Sequence, residues 1–328
     1  RLPELIEQAR SNGGAVAVEQ TGECYERVSP LPGRALTSFV TVMRGCDNYC
    51  TYCIVPHVKG RERSRPLATV LSEARELAER GVRDITLLGQ NVLAWQEGEQ
   101  RFPGLLEAVA LSVPGVRVRF LTSHPRDVDS ALLETMARLP NVCPALHLPL
   151  QSGSNRLLGL MNRGYTLEDY LSRVELARRI LPSLGLTTDL IVGFPSETED
   201  DFHSTLRVVR DVRFDYAYMF RFSARAGTPA ATMTPRVSES DGGRRLARLI
   251  EVQNRITREL NGAMVGGEFE LLVEGPSPRG ADAIGRTATN RIVILRGGAR
   301  PGELVRCRVT AVQGWTPVAE AALPAKVN

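Results

Sequence analysis

Six short apolar segments rich in β-branched residues alternate with six segments of helical spacing between residues 37 and 265. The strand-like segments are SFVTVM, DITLLG, VRVRFLTS, ALHLPL, TTDLIVGF and YAYMFRFS. Each return through a helix brings the chain back to the same end of the sheet, so strict alternation predicts parallel strands in an α/β fold. Six units are too few for a closed eight-unit barrel. We therefore expect an open, partial (βα)6 TIM-like barrel, with a doubly wound sheet as the alternative that periodicity does not separate from it.

The two ends of the chain differ from this central part. Residues 1–36 contain a helical segment, LPELIEQARSN, and a polar connector ending in SPLPGR. Residues 266–328 contain strand-like runs separated by Gly- and Pro-rich turns, a pattern that predicts a small antiparallel barrel of OB-like form. We therefore expect a linker over 1–36, an α/β core over 37–265 and a β domain over 266–328.

Composition excludes several classes of protein. Apolar residues make up 43% of the sequence and the formal net charge is only +4, which is typical of a soluble globular chain. No apolar run approaches the roughly 20 residues that a membrane-spanning helix needs, and the first residues lack a secretory pattern. Six cysteines in 328 residues do not make a disulfide framework. We expect a cytoplasmic monomer that does not associate with membranes.

Three of the cysteines are crowded into the segment GCDNYCTYC, directly after the first predicted strand. Cys46, Cys50 and Cys53 would then lie at the carboxyl end of the barrel, where such folds carry their functional residues. Three thiolates can bind three irons of a [4Fe-4S] cluster and leave the fourth iron open. The alternative is a zinc site with His57 as the fourth ligand. The remaining cysteines are expected to pack as small apolar side chains: Cys24, Cys143 and Cys307.

Longer motifs surround these cysteines and follow one another along the chain. They are FVTVMRGCDNYCTYCIVPHVKGRERSRP, LLGQNV, HLPLQSGSNRLLGLMNRGYT, TDLIVGFPSETEDDF and FRFSARAGTPAA. Together they resemble the radical S-adenosylmethionine (SAM) methylthiotransferase family, and within it the tRNA-modifying MiaB type. The later segment VEGPSPRGADAIGRTATNRIVIL resembles the TRAM domain that such enzymes carry.

The resemblance implies a reaction and its partners. SAM would chelate the open iron. One electron from the cluster would then cleave SAM and give a 5′-deoxyadenosyl radical. The product would be methylthiolated at carbon 2 of N6-dimethylallyl-adenosine, at position 37 beside the anticodon of a tRNA. The anticodon loop would be the substrate, and a protein such as flavodoxin or ferredoxin the reductant. Related branches act on threonylcarbamoyl-adenosine in tRNA or on a ribosomal protein, and a non-catalytic zinc-binding RNA module is the alternative from another class.

One departure from the family pattern concerns the start of the chain. Members of the family normally begin with a domain of roughly a hundred residues, whose three further cysteines hold a second [4Fe-4S] cluster. Only the tail of such a domain fits into residues 1–36, and Cys24 alone cannot hold a cube. We interpret the chain as a truncated or proteolysed product that would cleave SAM without completing methylthiolation.

The ends of the predicted strands supply residues that the resemblance places at SAM. Tyr52 would lie near the adenine, with packing against the loop as the alternative. Gly193 would let the backbone approach the adenine closely. Ser152 suits a helix cap equally well. The full set expected to contact SAM is Tyr52, Gln90, Asn91, Ser123, Gln151, Ser152 and Gly193.

Basic residues suggest where RNA would bind. The segment KGRERSR places four basic residues at alternate positions, and in an extended strand all four would point one way as a phosphate track. The β domain carries a second basic and polar set, and OB-like barrels commonly bind nucleic acid on such faces. Trp315 is expected to plug that barrel. The residues expected to bind RNA are Arg44, Lys59, Arg61, Arg63, Arg65, Arg286, Asn290 and Arg291.

Overall fold

The computed structural model describes residues 2–16, 35–277, 280 and 282–322. The helices in these ranges are α1 Leu2–Asn12, α2 Val55–Lys59, α3 Leu67–Glu79, α4 Phe102–Ser112, α5 Ser130–Arg138, α6 Asn155–Leu160, α7 Leu167–Ile180, α8 Glu199–Val212 and α9 Glu239–Gly262. The strands are β1 Thr37–Thr41, β2 Met43–Arg44, β3 Arg63–Ser64, β4 Asp84–Leu88, β5 Gln96–Glu97, β6 Gln100–Arg101, β7 Arg117–Phe120, β8 Ala145–His147, β9 Gly185–Val192, β10 Tyr216–Arg221, β11 Glu268–Pro276, β12 Ala283–Thr287, β13 Ile292–Arg296, β14 Leu304–Gln313 and β15 Thr316–Ala321.

Six parallel strands form the central part of the molecule. β1, β4 and β7 make one parallel sheet, and β8, β9 and β10 make another. A parallel bridge from Val118 to Val142, just upstream of β8, joins the two sheets. The strands therefore follow in chain order, with β1 and β10 at the edges. This confirms the open (βα)6 arrangement, because a doubly wound sheet would reverse its strand order partway.

Local sequence signals explain where the outer helices begin. Thr166 and Thr198 each form a capping box with an aspartate at the third helical position, so two otherwise unpartnered N–H groups are satisfied at each helix start. Asp129 caps α5 with a single bond, since its carboxylate accepts from the Leu132 N–H at 2.8 Å. The apolar faces of these helices pack against the strands and form one continuous core.

The C-terminal strands form a second unit with its own core. They close into a barrel in the order β11-β12-β13-β15-β14, which confirms the predicted small β-barrel. Leu271, Val293 and Cys307 are buried inside it. Trp315 lies in the turn between β14 and β15 and is 56% exposed, so the prediction that it plugs the barrel is wrong. A turn at the barrel end directs this side chain to solvent instead.

The turn between β12 and β13 packs against the amino ends of the parallel strands. Arg119 of β7 pairs with Asp84 of β4 at 2.7 Å, and both side chains are buried. The other guanidinium nitrogens donate to the carbonyl oxygens of Thr287 and Ala288, each at 2.9 Å. Gly185, the first residue of β9, lies so close to this turn that a Cβ there would be 2.3 Å from the Thr289 oxygen. The small barrel therefore covers the amino end of the α/β core, away from the carboxyl ends of its strands.

Several sequence-based expectations are settled by these elements. The helical segment LPELIEQARSN is confirmed as α1. Cys143 and Cys307 are buried as expected, and burial raises the pKa of the Cys143 thiol to about 11. Cys24 and most of the expected linker lie outside the described residues. In the described part of the chain, no helix is both long and apolar enough to cross a bilayer.

Candidate active site

The cysteine loop is held between the carboxyl ends of β1 and β4. Gly45 adopts φ +78°, and a Cβ there would lie 1.9 Å from the Arg61 carbonyl oxygen, so only glycine fits this crossing. The Gly45 N–H donates to Oε1 of Gln90, just after β4, at 2.7 Å. The Cys53 N–H donates to the Cys50 carbonyl at 2.9 Å and closes a turn between the two cysteines. These bonds fix the loop at the edge of the sheet where the sequence placed it.

The three cysteines of this loop fit an iron–sulfur cluster. All are free thiols, with Cys50 buried and Cys46 and Cys53 half-buried. Nδ2 of Asn48 donates to the Cys46 sulfur and Nη1 of Arg163 donates to the Cys50 sulfur, each at 3.3 Å. Burial raises the pKa of the Cys46 and Cys53 thiols, and a bound metal would offset this by stabilising their thiolates. N–H donors aimed at cysteine sulfurs are typical of iron–sulfur sites.

The zinc alternative required His57 as a fourth ligand. His57 lies in α2 with its side chain exposed, and its ring packs edge-on against Tyr49 with centroids 6.2 Å apart. Among the residues that the structure describes, no three His, Cys, Asp or Glu side chains converge as a single metal ion would require.

Arg163 is the residue of this site that the sequence did not single out. Its side chain is buried, and Nε and Nη2 donate to the Tyr165 hydroxyl and the Pro149 carbonyl, both at 3.1 Å. Within the described ranges no carboxylate pairs with it. Burial raises the pKa of Tyr52 and of Tyr165, so both phenols are neutral. The Cys50 sulfur is therefore the contacting group that can balance this charge. A cation directly after the apolar run LLGLM, separated from it by one asparagine, was the available signal.

Tyr52, Gln90 and Asn91 all lie beside the cysteine loop. The Tyr52 hydroxyl accepts from Nη1 of Arg163 at 3.4 Å, and its ring packs against a small apolar cluster that includes Phe194. Gln90 binds the loop backbone as described above. Nδ2 of Asn91 donates to Asp127 at 2.7 Å, and its Oδ1 accepts from the His124 N–H at 3.1 Å. Gln90 thus connects the end of β4 to the cysteine loop, and Asn91 connects it to the segment after β7.

The remaining SAM candidates lie at the ends of later strands. Ser123 donates to the His147 carbonyl. Gln151 has φ +72° and hydrogen-bonds through its backbone to β9. Gly193 has φ +72°, and a Cβ added to it would lie 3.5 Å from the Cα of Gly242. Ser152 is fully buried and its hydroxyl accepts from the Ser154 N–H at 3.2 Å. The residue that caps α6 is Ser154, so the capping alternative for Ser152 is wrong.

His124 presents a buried nitrogen towards the same end of the barrel. Its Nδ1 accepts from the Arg126 N–H at 3.3 Å, so a neutral ring carries its proton on Nε2. Nε2 is buried and has no hydrogen-bond partner among the described residues. Burial, reinforced by the charges of Arg163 and Arg126, lowers the pKa of His124 to about 2. An unsatisfied buried donor is costly, so this nitrogen is a candidate contact for a bound ligand.

The expected phosphate track beside the loop is corrected by the structure. Lys59 ends α2, so the four basic residues do not lie on one extended strand. Arg61 is exposed and pairs with Asp47 at 2.7 Å. Arg65 is buried, pairs with Glu73 and donates to a backbone carbonyl, so it is not available to RNA. Arg44 and Arg63 lie opposite each other in the β2–β3 hairpin and stay on the same side as the loop.

The basic set of the C-terminal barrel makes ion pairs and hydrogen bonds within the protein. Arg291 pairs with Asp215 of the core and donates to Asn261 at 2.8 Å. Arg286 pairs with Glu274 at 2.9 Å and donates to Asn290 at 3.2 Å. These three candidates therefore lie at or beside the contact between the two units, because the turn that carries them docks on the core.

Comparisons with known proteins agree with this geometry. The Radical SAM superfamily model matches residues 40–209, and the TRAM domain model matches residues 262–321. The chain is 46% identical over 321 residues to "tRNA-2-methylthio-N(6)-dimethylallyladenosine synthase" of Pelodictyon phaeoclathratiforme, covering 96% of this chain and 73% of that protein. It is 48% identical over 322 residues to the protein of the same name from Moorella thermoacetica, covering 96% and 72%.

A solved structure shares the fold. Coproporphyrinogen III oxidase (HemN) from Escherichia coli, a radical SAM enzyme, superimposes with a TM-score of 0.51 at 14% identity, over 84% of this chain and 67% of that one. At that identity the likeness concerns the fold alone. The cysteine loop, the open barrel and the two sequence relatives together establish that the chain belongs to the radical SAM superfamily and, within it, to the family of tRNA-2-methylthio-N(6)-dimethylallyladenosine synthases.

Proposed function

We propose that this protein methylthiolates carbon 2 of N6-dimethylallyl-adenosine at position 37 of tRNA, using a [4Fe-4S] cluster and SAM. The observation that carries the proposal is the cysteine loop at the carboxyl end of the open barrel, in a chain 46% identical to synthases named for this nucleoside. The alternative substrates remain threonylcarbamoyl-adenosine in tRNA and a ribosomal protein.

The residues around the loop have distinct roles in this proposal. Cys46, Cys50 and Cys53 hold the cluster, which when bound supplies the electron that cleaves SAM. Gln90 fixes the loop backbone, and Arg163 offsets the charge of the buried Cys50 thiolate. The packed interior around Arg163 keeps water away from this corner of the site.

SAM contacts are proposed for the side chains and backbone that surround the loop. Tyr52 would form one wall of the SAM site. Gly193, with φ +72°, would let SAM approach the backbone at the end of β9. The unpartnered Nε2 of His124 adds a donor. The other proposed contacts are Gln90, Asn91, Ser123 and Gln151.

RNA contacts are proposed on the side of the cysteine loop. Four basic residues lie on the β2–β3 pair, on the short helix α2 and on the connector between α2 and β3, where phosphates flanking the target base would pass. They are Arg44, Lys59, Arg61 and Arg63. We further propose domains over 37–265 and 266–328, a cytoplasmic monomer, and flavodoxin or ferredoxin as the reductant.

Anaerobic reconstitution tests the cofactor part of the proposal. We expect a brown protein with about four irons that converts SAM to 5′-deoxyadenosine under reductant. Cys50→Ala should abolish that conversion while circular dichroism stays unchanged, and Cys143→Ala is the matched control that should retain it. A colourless protein with a single zinc would refute the proposal.

The substrate part needs a separate measurement. Mass spectrometry of tRNA from a strain that lacks the gene should show loss of the 2-methylthio group from the prenylated adenosine and its return on complementation. Loss from threonylcarbamoyl-adenosine, or from a ribosomal protein, would reassign the substrate and leave the cofactor assignment intact.

A further inference from the structure

Edge strand β10 carries a row of exposed aromatic side chains. Tyr216, Tyr218 and Phe220 are 48%, 51% and 51% exposed, whereas the alternate residue Ala217 is buried in the core against the helices. The Tyr218 ring contacts the His147 ring of β8 edge-on, with centroids 5.8 Å apart. Because β9 lies between these strands, the two rings can meet only above the sheet, on the face opposite the helices. The row therefore lines the concave interior of the open barrel.

The opposite edge strand carries a similar side chain. Phe39 of β1 is 61% exposed and alternates with Val40, which is fully buried against the helices. Both edges of the open barrel thus present aromatic surface on the concave side. Large apolar side chains left this exposed inside a concavity mark a ligand site.

Polar groups are interleaved with these rings. Asp189 is in register with Tyr218, and its carboxylate lies 3.4 Å from Nε2 of His147. Nδ1 of His147 lies 2.9 Å from the Thr187 hydroxyl. A wall that combines ring faces with a carboxylate and an imidazole suits a flat heterocycle with N–H and ring-nitrogen groups. It suits a lipid chain or an apolar helix less well.

The row also leads to the candidate SAM site. Phe220 is in register with Ile191, whose N–H donates to the Gln151 carbonyl at 2.9 Å. Gly193 follows two residues later, directly after the end of β9. A ligand lying on Phe220 and Tyr218 would therefore be directly below the cofactor-binding end of the barrel.

We infer that Tyr218 and Phe220 bind the dimethylallyl-adenine of the RNA substrate and select for its prenyl group. The inference rests on the proposed function and adds the residues that recognise the modified base. Aromatic side chains stack bases that are splayed out of single-stranded RNA. The five-carbon prenyl tail would cover Phe220, and the carboxylate of Asp189 would accept the remaining N6–H. Selection by an apolar wall of this kind is worth about tenfold or more.

The test compares two anticodon stem-loop RNAs that differ only in the prenyl group at the target adenosine. Fluorescence anisotropy on the reconstituted protein gives the dissociation constant of each RNA. The wild type should prefer the prenylated RNA by about tenfold or more. Phe220→Ala should reduce that ratio towards one while the affinity for the unmodified RNA changes little, because the prenyl tail lies on this ring. Tyr218→Ala should also reduce the ratio and should weaken the binding of both RNAs, because both present the adenine that stacks on this ring.

Two further variants make the result specific. Tyr218→Phe keeps the ring and should keep the preference. Leu111→Ala removes a 64% exposed apolar side chain from the outer helix α4 and should leave both affinities unchanged. A wild type that binds both RNAs equally, or alanine variants that keep the full preference, would overturn the inference. Only failure of SAM cleavage and of tRNA modification would overturn the proposed function.

Discussion

Arg163 donates a hydrogen bond to the Cys50 sulfur over 3.3 Å, which places a buried cation against the most buried of the three loop cysteines. The reduced form of a cluster carries one more negative charge than the oxidised form, so a nearby cation and N–H donor favour reduction. Arg163→Met should therefore lower the midpoint potential of the reconstituted cluster by on the order of tens of millivolts. An EPR-monitored redox titration measures this shift.

The matched control for that measurement is Arg207→Met. Arg207 is an exposed cation on α8 that donates to Ser204 at 2.8 Å. Arg207→Met should leave the midpoint potential of the cluster unchanged. An unchanged potential in Arg163→Met would show that the guanidinium does not act on the cluster.

The buried pair of Arg119 and Asp84 predicts a large stability change. Arg119→Met would leave the Asp84 carboxylate and the carbonyls of Thr287 and Ala288 without their partner. Breaking a buried pair on one side costs about 3–5 kcal/mol of unfolding free energy. Urea denaturation should show this loss, and the double variant Asp84→Leu with Arg119→Met should recover part of it. Equal losses in the single and double variants would contradict this account.

The contact between Gly185 and Thr289 predicts sensitivity to a single methyl group. A Cβ at Gly185 would lie 2.3 Å from the backbone carbonyl oxygen of Thr289. This oxygen cannot move aside as the end of a flexible side chain can. Gly185→Ala should destabilise the protein by about 1–3 kcal/mol and expose the junction to limited proteolysis. Gly104→Ala in α4 meets nothing within 4 Å and should be neutral or stabilising. Equal behaviour of the two variants would show that the small barrel does not dock as described.

The buried neutral His124 predicts a loss of stability in mild acid. Its pKa falls to about 2 in the folded state, compared with about 6.5 when unfolded, so below about pH 6.5 only the unfolded chain takes up this proton. Stability therefore drops as the pH falls through that value, by about 2 kcal/mol at about pH 5. Urea denaturation of the cluster-free protein at about pH 7.5 and about pH 5 should show a smaller drop for His124→Asn than for the wild type.

Exposed His203 provides the control for the acid experiment. His203→Gln should keep the wild-type drop between the two pH values, because it removes a 56% exposed imidazole on α8 and leaves the buried His124 in place. If His124→Asn also keeps the full drop, the stability loss belongs to other groups.

Much of the fold could be predicted because its signals are local. All six parallel strands and the helices after them follow from apolar periodicity, and the starts of α5, α7 and α8 follow from their capping residues. The place of the cysteine loop follows as well, because a loop after a parallel strand lies at the carboxyl edge. The short helices α2 and α6 were missed, since five or six residues carry too little periodicity to identify a helix.

The sequence by itself determined the six parallel strands, the place of the three cysteines and the family, because these depend on residue types at fixed spacing. Only the tertiary structure decided that Arg163 meets Cys50, that Arg65 and Arg291 are engaged inside the protein, and that the aromatic row of β10 faces the barrel interior. Those contacts depend on which segments, distant in sequence, pack against each other in the fold. The sequence does not distinguish a charged side chain that meets a phosphate from one that meets a buried carboxylate. Packing between segments more than 70 residues apart is what brings Arg291 to Asp215.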